Sequence, residues 1–135
     1  MSNALYGKAK EKLLTGGSLA FVADSIKAAL VTTSYTPALN VDEFYSAIST
    51  NVVGTPQALT GKTVALGVFD ATDVTFSAVP AGSTLLGVVL YKDTGVAGTS
   101  SLIAVIDTIT GFPLATNGGD IQVVWDNGAY RIFSL

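Results

Sequence analysis

From residue 18 to the end of the chain, short apolar runs alternate with breaks of Gly, Pro, Asn and Asp. Leu19–Val22, Ser25–Thr33, Thr63–Phe69, Val74–Val79, Thr84–Tyr91 and Leu102–Asp107 read as strands, with an extended piece at Val52-Val53. Pro56 follows that piece, and proline's missing N–H suits an edge strand or a strand end. Asp70-Ala71-Thr72-Asp73 reads as a turn, because Asp side chains bond nearby backbone N–H groups. Thr84–Tyr91 and Leu102–Asp107 are so uniformly apolar that they predict strands buried on both faces. Leu85–Leu90 and Leu102–Ile106 also have the makeup of aggregation-prone segments, so they belong inside a sheet with its edges covered.

The last stretch, Gly118–Leu135, carries two alternating runs around Asn127-Gly128. That dipeptide accepts the positive φ angles of a two-residue type I′ turn and predicts a β-hairpin. Its register would set Val123 opposite Ile132 and Ile121 opposite Ser134. Ile121, Val123, Trp125, Tyr130 and Ile132 would then share the core side.

Two helices are predicted. Asn40 is an N-cap with Glu43 three residues on, and Leu39 and Phe44 take the staple positions. Val41, Phe44, Tyr45 and Ile48 follow the spacing of a buried helical face, so a short helix should end near Ser49. Residues 1–17 form an N-terminal arm or short helix, in which Leu5, Tyr6, Ala9 and Leu13 lie near one side and Gly16-Gly17 ends the element. A helix so short is marginal by itself and must dock, on its own domain or on a neighbour. The fold class that follows is mainly β: a single-domain antiparallel β-sandwich or barrel of about nine short strands over 18–135, with one short helix and the arm.

Charge sharpens this picture. Only 13% of the 135 residues are charged, about half the usual share, so a lone copy would leave much weakly polar surface uncovered. Coverage by other subunits, as in a homo-oligomer (dimer or trimer), is the economical reading; a neutral surface tiled by Ala, Gly, Ser and Thr is the plain alternative. Residues 1–15 hold Lys8, Lys10 and Lys12 against Glu11 alone, leaving four basic and nine acidic residues in the remainder. The arm's Leu5, Tyr6, Lys8, Lys10 and Lys12 are therefore the candidate partner-binding residues, the lysines meeting acidic surface.

Reactive chemistry is sparse. With no His and no Cys, His-based triads, Cys nucleophiles and ordinary zinc sites are excluded. Lys27, Lys62 and Lys92 read as solvated strand or turn positions. Asp70 with Asp73, and Asp120 with Asp126, are explained as turn formers. Gly95-Val96-Ala97-Gly98 lacks the Lys and helix start of a phosphate loop. An acidic domain with one arginine does not suit nucleic acid, and no apolar run approaches membrane-spanning length. No catalytic, cofactor-binding or metal residue is assigned, and no small-molecule substrate is expected.

The opening Ser2–Lys8, the segments Ser25–Val31 and Leu90–Gly95, and the ending Asn117–Ile121, Trp125–Gly128 and Ile132-Phe133 resemble a group of small virion structural proteins of tailed bacteriophages. The likeness spans essentially the whole chain. It departs at Gly16–Ala20, where the group is usually richer in acidic and aromatic residues. The resemblance implies a non-enzymatic part of the particle, made in the bacterial host cytoplasm. The lead expectation is a capsid decoration (cement) protein that clamps the major capsid protein lattice from outside. A tail or fibre-attachment component is the runner-up. A receptor- or glycan-binding module of the virion is a different class again, although Tyr35, Tyr45, Tyr91 and Tyr130 all suit core or turn positions.

Overall fold

The computed structural model describes residues 4–15, 24–107, 112–125 and 132–134. The predicted strand Leu19–Val22 and the Asn127-Gly128 turn lie outside the described residues. The fold is mainly β, with antiparallel sheets and, among the described residues, a single α-helix, in keeping with a β-sandwich-like single domain.

The centre is one antiparallel sheet. Its strands run in the order β1 (Ala4–Leu5), β8 (Leu102–Ile106), β7 (Thr84–Lys92), β2 (Ile26–Thr32) and β3 (Val52–Ala58), and β9 (Leu114–Ala115) also pairs with the start of β7. The two most apolar runs are thus internal, as their composition requires. The edges are blunted in two ways: β1 is only two residues long, and β3 carries Pro56, whose ring removes a backbone donor. On one face, Ile26, Leu30, Leu85, Leu90 and Ile103 pack under a second layer. That layer is built from β4 (Thr63–Ala65), β5 (Val68–Asp70) and β11 (Phe133–Ser134), and from β6 (Val74–Phe76) paired with β10 (Ile121–Val123). On the other face, Ala29, Val31, Val89 and Val105 pack under Tyr6 and Ala9 of the N-terminal segment and under Tyr35 and Ile48. Burial on both faces is why β7 and β8 lack the polar alternation of a one-sided strand.

Three expectations are corrected. The predicted helix after Asn40 is replaced by two short 3₁₀ turns, Tyr45–Ala47 and Ser49–Asn51. Its local signals lose to tertiary hydrogen bonds. Asp42 accepts from the Ala38 N–H (3.0 Å) and the Tyr35 hydroxyl (2.8 Å), the Glu43 carbonyl accepts from the Leu102 N–H (2.9 Å), and Phe44 bridges to Ser101. Of the predicted buried face only Ile48 is fully buried, while Val41 is exposed.

Thr63–Phe69 is a hairpin instead of one strand. Ala65 and Val68 face each other across Leu66-Gly67, and both central residues have positive φ (52° and 77°), the signature of a type I′ turn. Lastly, the two arms of the predicted terminal hairpin pair elsewhere among the described residues. Ile121–Val123 pairs with Val74–Phe76, and Phe133-Ser134 pairs with Val68-Phe69. Of the expected core side, Ile121, Val123, Trp125 and Ile132 are all buried in the same cluster, and Tyr130 lies outside the described residues.

Candidate functional site

The arm is built into its own domain. Ala4 and Leu5 pair with Val105 and Ala104, and the Tyr6 N–H donates to the Ile103 carbonyl (2.9 Å). Helix α1 (Gly7–Leu14) then starts on Gly7, whose N–H donates to the Leu39 carbonyl (2.6 Å). A Cβ at Gly7 would sit 2.6 Å from Asn40 Oδ1 and 3.2 Å from the Leu39 carbonyl oxygen, so a larger residue would have to push the Asn40 side chain aside. Tyr6 is fully buried. Its hydroxyl lies 2.6 Å from that of Tyr35, which donates in turn to Asp42. Burial pushes both tyrosines well above the ordinary tyrosine pKa.

The candidate partner-binding residues therefore divide. Leu5 packs against the core and Tyr6 is inside it. Lys12 is held by Glu43 (3.2 Å), Ser101 Oγ (2.9 Å) and the Phe44 ring, 4.7 Å from its centroid. Among the described residues Lys8 pairs with Glu11 on the same helix (3.3 Å), and Lys10 is exposed. Deleting residues 2–15 would remove an edge strand and Tyr6 from the core, so truncation cannot test the arm with the β-fold left untouched. Lys8 and Lys10 are the members of the set that face outward.

Two of the carboxylates expected to bond nearby backbone in turns bond distant backbone instead, across the β6–β10 pair. Asp120 accepts from the Ala78 N–H (2.8 Å), and Asp73 accepts from the Trp125 N–H (2.9 Å).

A more demanding feature was not legible as a site in the sequence. Leu66, at the tip of the β4–β5 hairpin, is fully exposed (102%) and sits at φ 52°. An L-residue in that left-handed region costs about 1–2 kcal/mol, and Asn or Gly is the usual occupant. Val64, on the adjoining strand β4, is also half exposed. All of β4 is exposed, and it is the terminal strand of its small sheet. Gly67 inside an apolar run was the available signal for a turn; nothing local marked Leu66 as its exposed partner. The tip thus presents an apolar anchor beside a strand edge, a combination suited to protein contact.

The second arrangement is a cleft of about 340 Å³ at one end of the central sheet, on the arm side. Register places Lys27 of β2 beside Tyr91 of β7. Lys27 Nζ pairs with Asp93 Oδ2 at 3.0 Å, and Asp93 Oδ1 accepts from the Gly95 N–H at 3.0 Å. The Gly95 N–H first, and then Lys27, hold the Asp93 carboxyl below its ordinary range. Tyr45 and Tyr91 line the same cleft with ring centroids 4.7 Å apart, tilted by 44°. Thr55-Pro56 of β3 and the loop at Gly95-Val96-Ala97 complete it. No family model, curated protein or solved structure matches the chain.

Proposed function

We propose that this chain is a non-enzymatic structural subunit of a tailed-phage particle, a decoration protein that binds the outside of the major capsid protein lattice as a small homo-oligomer. The resemblance of its turns and strands to such proteins motivates the reading, and the low charge agrees with a surface partly covered by other subunits. The observation that carries it is Leu66. A large apolar side chain held fully in solvent by an unfavourable backbone is costly for a free monomer, and strain of this kind is retained where it serves contact. Seating Leu66 and Val64 in an apolar depression of a neighbouring protein would offset that cost. Binding to the lattice then stabilises the particle by mass action.

The test is co-sedimentation of the purified protein with particles stripped of it. Wild type should pellet with the particles, and Leu66→Asn, which keeps the turn and removes the anchor, should remain in the supernatant. Equal pelleting of the two would rule out the tip as the contact.

A further inference from the structure

The cleft beside Tyr45 and Tyr91 is not used in the proposed lattice contact, and its chemistry is specific enough to assign a ligand class. Its wall is prepared in advance. Thr94 Oγ1 lies 2.6 Å from Thr99 Oγ1, Ser100 Oγ donates to the Val96 carbonyl (2.8 Å), and the Tyr45 N–H donates to the Ser100 carbonyl (2.8 Å). The Ser46 N–H also donates to the Ala97 carbonyl (3.1 Å), which fastens the loop to the segment that carries Tyr45. Little ordering is left to be done on binding, which favours affinity.

Two properties select the occupant. The first is charge. Lys27 and Asp93 neutralise each other at 3.0 Å, so an anion drawn to the ammonium meets the carboxylate, and a cation drawn to the carboxylate meets the ammonium. A neutral ligand avoids both conflicts. The second is polarity. The ammonium has three donors and the carboxylate about four acceptor sites, and the contacts described above leave some of each for a ligand. A partner dense in hydroxyls, which donate and accept from adjacent carbons, can use both at once. Tyr45, half-buried and backed by the buried Tyr91, adds an aromatic wall, and the negative face of such a ring attracts weakly positive C–H groups. Hydroxyls on one side and C–H groups on the other describe a pyranose. A cleft of about 340 Å³ lies at the small end of ligand sites, which suits a short saccharide.

We infer that this cleft binds a short neutral saccharide, with Lys27 and Asp93 bonding adjacent hydroxyls and Tyr45 packing against the ring. The inference does not rest on the particle assignment: a free sugar can bind whether or not the chain sits on a capsid.

The experiment is ¹H–¹⁵N NMR titration of the full chain with methyl glycosides of glucose, galactose, mannose and N-acetylglucosamine and with maltose and cellobiose. Glucuronate and glucosamine serve as the anionic and cationic arms. Saturable shifts at Tyr45, Asp93, Gly95 and Ala97 with at least one neutral sugar are expected, and weaker binding of its charged counterparts. Asp93→Asn should weaken binding about tenfold or more, as expected for a lost charge-assisted hydrogen bond. Because Asp93 also anchors its loop, Ala97→Trp is the second variant: Ala97 is exposed, so the indole can block the cleft without entering the core, and binding should be lost. No saturable shift with any neutral sugar, tighter binding of a charged one, or undiminished binding by Ala97→Trp would each overturn the inference.

Discussion

Leu66→Asn separates stability from function. The substitution removes a side chain that touches nothing in the folded monomer, because Leu66 is fully exposed. It replaces a residue disfavoured at φ 52° with one that adopts the left-handed region readily, and creates the Asn-Gly pair preferred in type I′ turns. The strain at stake is about 1–2 kcal/mol, and Asn should recover roughly 1 kcal/mol of it. For a 135-residue chain, that raises Tm by about 3–4 °C. Scanning calorimetry at several protein concentrations is the assay. A Tm higher than that of the wild type by the same increment at every concentration is the expected result. A fall in Tm would refute the reasoning, since it would mean that the leucine gains more from burial in solution than its backbone costs.

Other changes probe the core. Gly87→Ala would drive a methyl into the Ile106 carbonyl and within 2.9 Å of the Asp107 Cα. It should cost about 3 kcal/mol by overpacking, read as a lower urea midpoint at unchanged m-value. Tyr35→Phe breaks the chain from the Tyr6 hydroxyl to Asp42, and leaving those groups without their partner should cost about 2 kcal/mol by the same assay. Buried Tyr6 and Tyr35 have pKa values raised above 10.0. Their unfolded forms ionise first, so stability should hold below pH 10 and fall as pH rises beyond it. Tyr35→Phe should flatten that alkaline decline in pH-resolved denaturation.

The central sheet was legible because burial on both faces writes itself into composition: Leu85–Leu90 and Leu102–Ile106 have no other safe location. Pro56 likewise marked an edge through its missing donor. The helix after Asn40 failed for the opposite reason. Its capping pattern is local, and Asp42 and Glu43 are both engaged by distant groups, Tyr35 and Lys12 among them. The 63–70 hairpin was hidden because an exposed leucine in the turn continues the apolar run on either side. The cleft could not be read at all without pairing. Lys27 and Tyr91 become neighbours only through the register of β2 against β7, and Tyr45 arrives through the hydrogen bonds that replaced the predicted helix. The arm reads as a unit that must dock on its own domain or on a neighbour, and the structure packs Tyr6 and Ala9 on the central sheet.

The central claim is that the chain is a building part of a phage particle, and the most direct measurement is its copy number in purified particles by quantitative mass spectrometry. A decoration protein repeated by capsid symmetry should be present at on the order of hundreds of copies. Its absence from the particles would contradict the account, and a count of only a few to a few dozen would move it from the head to the tail.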